Sequence, residues 1–178
     1  MIDGTVSKTI SKGTFASRRN VLTVATTASA TAFLGSAQAQ TTSNRVRIFN
    51  APGVAKPVGY SHMAEVSSGR TVYIAGQTGV DPNGNLAGAP GDFRAQAMQV
   101  FENMKSVLAA VGGSFDNLVK LNAYFIDMET HLPIFREVRD KYVSKDTPPP
   151  STVVQVGRLA RAQFLLEVEG VAVLPPGA

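Results

Sequence analysis

Glu167 and Glu169 lie in the run Phe164 to Leu174, whose alternation puts Leu165, Glu167, Glu169, Val171 and Val173 on one face of a strand. Carboxylates among aliphatic neighbours reach solvent, pair across an interface, or stay desolvated with a raised pKa. The last case makes Glu167 a candidate general base. Tyr60 offers a phenolic hydroxyl, and at the start of a strand it fits a core or interface position as well as a catalytic one. The stretch Gly76-Gln77-Thr78-Gly79-Val80-Asp81-Pro82-Asn83-Gly84 is turn-rich; its backbone amides could meet a ligand or serve only as a loop. Other chemistries lack their residues. His62 and His131 are 69 positions apart and there is no cysteine, so no metal site is expected. No nucleophile elbow, phosphate loop or dinucleotide fingerprint occurs, because the glycines from Gly84 to Gly91 do not follow a strand and open a helix with the needed spacing.

The elements that must position these groups can be read from periodicity. Residues 40–56 are polar, then bear Gly and Pro, which predicts an extended lead-in without a helix. His62 to Val66 and Thr71 to Ala75 lean toward strand and flank Ser67-Ser68-Gly69-Arg70, a hairpin signal. Asp92 is placed to cap a helix, and Phe93, Ala97, Val100, Met104, Val107, Leu108 and Val111 form its apolar stripe until Gly112 and Gly113 stop it. Val119, Leu121, Ala123 and Phe125 alternate in a strand ending at Asp127. Thr130 can cap a second helix, with Pro133 in its first turn and Leu132, Phe135, Val138 and Tyr142 on one side. Pro148, Pro149 and Pro150 then end that helix and deliver the chain, extended, into a strand opening at Ser151. The order ββαβαββ predicts an α+β domain: a mixed sheet with two helices on one face. The other face, bearing Val171 and Val173 beside two carboxylates, then needs a partner, and a second copy of the chain supplies one economically.

With 178 residues, 44% hydrophobic and 17% charged, the chain can bury one sizeable core. Its net charge of +4 is concentrated at the N-terminus: residues 1–39 hold Lys8, Lys12, Arg18 and Arg19 against Asp3. The nearly neutral remainder argues against a nucleic-acid footprint. Arg18-Arg19 precedes an uncharged run from Val21 to Ala39 that is rich in Ala, Thr and Ser and ends in Ala37-Gln38-Ala39. This predicts a twin-arginine-type signal peptide over residues 1–39, with Val21 where that signal usually has Phe. Cleavage near Ala39 would leave no stable membrane anchor and place the mature chain in a bacterial periplasm or outside the cell.

The motifs Gly59-Tyr60-Ser61, Ile74-Ala75-Gly76-Gln77, Asp81-Pro82, Ala110-Val111-Gly112-Gly113-Ser114, Asp127-Met128, Val154-Gln155-Val156 and Glu167-Val168-Glu169-Gly170-Val171-Ala172-Val173 resemble, in order, those of the Rid family, also called YjgF. The resemblance covers about residues 57 to 174 and places a Rid-like domain at 57–176. It implies a chorismate-mutase-like fold, a homotrimer, and a small cleft at each subunit interface, with no metal or organic cofactor. The best-known members of that family hydrolyse reactive imines and enamines to keto acids and ammonia, which the resemblance carries to this chain as an expectation. By the resemblance Tyr60 matches the cleft tyrosine, Gly76 the cleft glycine amide, and Glu167 the glutamate that positions water. The family arginine that would grip a substrate carboxylate falls at Ser151, where a hydroxyl supplies neither charge nor fork. Arg136 stands where an Asn is common.

Two functions compete. Without that arginine, an exported protein that binds a small metabolite in the interfacial cleft is the first expectation. The alternative is an imine or enamine deaminase that uses Glu167 and Tyr60. RNA binding or cleavage lacks a basic patch.

Overall fold

The structure, a computed structural model, describes residues 45–176; the expected signal peptide lies outside them. Eight strands and helices follow in order: β1 (Val46–Phe49), β2 (Met63–Val66), β3 (Arg70–Thr78), α1 (Phe93–Ala110), β4 (Leu118–Phe125), α2 (Met128–Arg139), β5 (Ser151–Gln155) and β6 (Leu166–Leu174), with a short 3-10 turn at Phe115–Asn117 before β4. The main sheet runs β3-β6-β4-β5 and is mixed, since β4 and β5 are parallel while β3 and β4 are both antiparallel to β6.

Two sequence expectations change here. β2 and β3 do not form a hairpin: β2 pairs with β1 in a separate two-stranded sheet, and β3 pairs with β6. The lead-in therefore contains a strand, and the order becomes βββαβαββ. His62 explains part of this preference. Its Nδ1 accepts from the Ala51 amide at 3.2 Å, its amide donates to Asn50 Oδ1 at 2.9 Å, and its Nε2 lies 3.0 Å from the Ala55 carbonyl. An imidazole that accepts at Nδ1 carries its proton on Nε2, so both contacts are hydrogen bonds of one tautomer. That triple attachment outweighs the local turn signal.

Helix α1 behaves as its sequence predicts. Asp92 Oδ1 accepts from the Ala95 amide at 2.9 Å, and Phe93, Ala97, Val100, Phe101, Met104 and Leu108 are buried along one stripe. At its end Gly112 adopts φ 76° while the Gly113 amide returns to the Leu108 carbonyl at 2.9 Å, which satisfies a carbonyl the helix leaves open. Helix α2 starts earlier than expected. Asp127, not Thr130, caps it, accepting from the Thr130 amide at 3.1 Å, so Pro133 falls in the second turn on an exposed face. The helix stops at Arg139, well before the triple proline, because the chain turns there and the Tyr142 amide donates back to the Arg139 carbonyl at 2.9 Å.

Both helices cover one face of the main sheet. Phe101, Phe125 and Phe135 are fully buried between them and the strands, with ring centroids 4.9 Å apart for Phe125 and Phe135. Truncating such a phenylalanine to alanine costs about 3–5 kcal/mol. The opposite face stays open: Tyr73 is 82% exposed, and Glu167, Glu169 and Val171 are half-buried. No helix of the described residues is long and apolar enough to cross a membrane.

Candidate functional site

Position of the glutamates follows from two polar side chains of α1. Gln96 is fully buried; its Nε2 donates to the Gln163 carbonyl and its Oε1 accepts from the Leu165 amide, both at 3.0 Å. It thereby fixes the entry to β6 just ahead of Glu167. Asn103 Nδ2 donates to the carbonyls of Thr78 at 3.1 Å and Val80 at 2.9 Å, which fixes the exit of β3. Between these anchors β3 and β6 slip register between Ile74 and Gln77. The bulge turns Ala75 and Gly76 out of the regular alternation, as bulges do where a strand must re-aim a residue. A Cβ at Gly76 would lie 1.9 Å from Glu167 Oε1, so the absence of a side chain there lets the carboxylate rest directly on the strand. Gly76 and Glu167 form one unit.

Glu169, one pleat further along, has a different environment. Asn122 Nδ2 donates to its Oε1 at 2.9 Å and Tyr124 Oη at 2.8 Å. These donors, Asn122 first, hold its carboxyl below the usual range, while the same contact pushes the Tyr124 phenol up. Glu169 is thus kept ionised, and together with Tyr73, Lys120, Asn122 and Val171 it lines a cavity of about 360 Å³ on the open face.

A second group assembles at the opposite edge of the sheet. A parallel bridge between Ser61 and Pro150 lays the 58–61 segment beside the entry to β5 and brings Tyr60 next to Ser151. Helix α2 covers this pair. Val58, Tyr60, Leu132, Arg136, Arg139 and Ser151 line a cleft of about 510 Å³. Ser151 Oγ is buried without a hydrogen-bond partner. Arg139 is only 8% exposed, with Nε and Nη2 donating to Asp140 Oδ1 at 3.0 and 2.6 Å. Sequence reasoning placed Tyr60, Ser151 and Arg136 in a site but missed Arg139, although its spacing of three residues from Arg136 put both on one side of the helix.

The two groups do not meet within one protomer. Ser151 pairs with Leu121, whose side chain is buried under the helices, whereas Glu167 pairs with Tyr124, three residues on and therefore on the other face. Two strand spacings and three residues of rise separate them by roughly 14 Å. Neither histidine joins the groups: His62 anchors the lead-in, and His131 stacks on Phe93 at a centroid distance of 4.0 Å.

The sequence matches the family described as Endoribonuclease L-PSP over residues 50–174. A RutC family protein of Pyrococcus horikoshii is 35% identical over 124 residues, covering 69% of this chain and 91% of that protein. A 2-iminobutanoate/2-iminopropanoate deaminase of Dermatophagoides farinae is 33% identical over 131 residues, covering 72% and 96%. Among solved structures, a conserved Rid-family protein of Yersinia pestis superposes with a TM-score of 0.67 at 31% identity, covering 73% of this chain and 99% of that one.

Proposed function

Since the chain belongs to the Endoribonuclease L-PSP family, which includes the Rid proteins, we propose that it is an imine- or enamine-hydrolysing deaminase whose active site is completed by a second copy of the chain. The observation that carries this reading is the contact of the Glu167 carboxylate with Gly76 at the β3 bulge, a base held beside exposed backbone. Identity to a 2-iminobutanoate/2-iminopropanoate deaminase supports the reaction class.

The chemistry needs little from the protein. A protonated imine is already electrophilic at carbon, so the enzyme must hold it and activate water. Glu167 takes a proton from the water as its oxygen bonds to that carbon, giving a carbinolamine. Glu167 returns that proton to nitrogen; the carbon–nitrogen bond then breaks as the hydroxyl gives its own proton to Glu167 and becomes the carbonyl, releasing ammonia and a keto acid, and Glu167 passes the remaining proton to solvent. Tyr60 stands on the β5 side, where its hydroxyl would orient the substrate.

Because Glu167 with Gly76 and Tyr60 with Ser151 occupy opposite faces of one sheet, a working cleft in this proposal sets the first pair of one protomer against the second pair of its neighbour. A closed trimer, with the open sheet faces inward, satisfies this and covers the exposed Tyr73. Export and maturation near Ala39 complete the proposal.

The family resemblance favours a second reading: it puts Ser151 where the carboxylate-gripping arginine would fall, and a cleft without that charge would bind a metabolite without turning it over. A coupled amino-acid oxidase assay following 2-iminopropanoate decay separates the two. Deaminase function predicts turnover above the solvent rate that falls at least about a hundredfold in Glu167→Gln, the usual size of a lost general base. Decay at the solvent rate in the wild type would leave only the binding protein.

A further inference from the structure

The cleft at the β5 edge contains more positive charge than its own residues neutralise. Arg136 and Arg139 both line it, yet the carboxylate bonded to either of them is that of Asp140 alone, among the described residues. Asp140 takes one edge of the Arg139 guanidinium, through Nε and Nη2, and leaves Nη1 without a partner there. Gly59 is what allows the guanidinium to lie where it does: a Cβ at that position would come within 2.6 Å of Nη2 and 3.2 Å of Nη1, and its φ of 74° independently favours glycine. In the lining of the same cleft Ser151 offers a buried hydroxyl without a hydrogen-bond partner. A nearly buried, half-paired guanidinium and an unpaired hydroxyl lining one cleft make an arrangement that a small planar anion would complete, since a carboxylate accepts from both guanidinium and hydroxyl.

We propose that Arg139 is the residue that grips the substrate carboxylate in this chain, with Ser151 donating a second bond and Arg136 closing the cleft from its exposed rim. The ligand class is a small 2-imino or 2-oxo carboxylate. Arg139 reaches the cleft from helix α2, so the charge missing at position 151 is supplied from the helix above it. The proposal rests on the imine-hydrolase reading for the identity of the substrate, but the binding subsite stands or falls on its own.

The test uses the full chain and an inert ligand, 2-oxobutanoate, with binding followed by calorimetry and by the arginine side-chain resonances of 15N-labelled protein. Expected are saturable binding, a shift of the Arg139 Nε resonance, at least a tenfold weaker affinity in Arg139→Gln, and recovery of most of that loss in Arg139→Gln combined with Ser151→Arg. A merely structural role for Arg139 would not be rescued by an arginine on the facing strand. Should Arg139→Gln fail to fold, the resonance shift in the unaltered protein and the weaker binding of Arg139→Lys, which keeps charge but loses the fork, decide the question. Absence of binding in the wild type, an unmoved Arg139 resonance, or unchanged affinity in folded Arg139→Gln overturns the assignment. Arg139-dependent binding without imine turnover would uphold this subsite and refute the deaminase reading; turnover with a KM indifferent to Arg139→Gln would do the reverse.

Discussion

Replacing Gly76 by alanine separates the position of Glu167 from the stability of the fold. The added Cβ would stand 1.9 Å from Glu167 Oε1, 2.7 Å from Cδ and 2.9 Å from Cγ. Ordinary contact begins near 3.4 Å, so the carboxylate must withdraw by about 1.5 Å. The atoms that must give way are the free end of a flexible side chain, and leaving a preferred rotamer costs about 0.5–1.5 kcal/mol. Gly76 is not among the glycines with positive φ, so alanine suits its backbone and returns roughly 0.4–1 kcal/mol by restricting the unfolded chain. These terms nearly cancel, and the melting temperature should stay within a few degrees of the wild type. Catalysis should not survive as well: a misplacement of about 1 Å at a reacting group can cost around a hundredfold, or roughly 2.7 kcal/mol of barrier. Imine decay and a thermal melt on the same preparation read both quantities. A Gly76→Ala protein with wild-type kcat would refute the idea that the bulge exists to seat Glu167, and one that melts more than about ten degrees lower would show that the displaced neighbour is not a mobile carboxylate.

Mixing two inactive variants, Tyr60→Phe and Glu167→Gln, after joint unfolding and refolding should restore part of the activity, because some interfaces would then combine an intact Tyr60 with an intact Glu167; light scattering should report a trimer, and a monomer with full activity would contradict the shared cleft. His131 is buried and its pKa is held below 6.5 by desolvation, with Asp127 opposing the shift. Its neutral form is the folded one, so its contribution is complete above pH 6.5 and is lost as pH falls through the depressed value, with a slope of at most about 1.4 kcal/mol per unit. Denaturant titrations at pH 7 and 5 should show this loss in the wild type and a smaller one in His131→Phe. Mass spectrometry of the exported protein should find a mature end near Gln40, and Arg18→Lys with Arg19→Lys should block export; secretion with residues 1–39 retained would count against the signal.

Local signals were readable in the sequence, and non-local ones were not. Asp92, the stripe from Phe93 to Leu108 and Gly112 fix α1 by contacts within a few residues of chain, so the cap, periodicity and stop agree with the structure. The strand expected to end at Asp127 stops at Phe125, and Asp127 instead opens α2, because a carboxylate beside the free amides of a helix start is a better cap than a strand residue. The pairing of β1 with β2 depends on His62 binding Asn50 and Ala55, contacts that no turn propensity encodes. In the site, Glu167 and Tyr60 could be singled out by type and by resemblance, but their separation onto opposite faces needed the register of β4 with β5 and β6. Arg139 escaped notice because a charged residue in a helix's last turn ordinarily faces water, and only the 58–61 segment packed over it makes it a buried one.

The two ends of the main sheet differ in how they meet a stray strand. At one end β3 is bent by the bulge at Ala75 and Gly76; at the other, β5 is entered through Pro148 to Pro150, which have no amide to donate, and Pro150 is already bridged by Ser61. Neither border offers a long, straight row of donors and acceptors, so open-ended strand addition, the usual route to filaments, is discouraged at both. In the proposed assembly, contact falls instead to the sheet's broad surface, where a ring of copies would close on itself and stop growing. A surface that saturates at a small ring rather than propagating keeps an exposed β-sheet compatible with high local concentration.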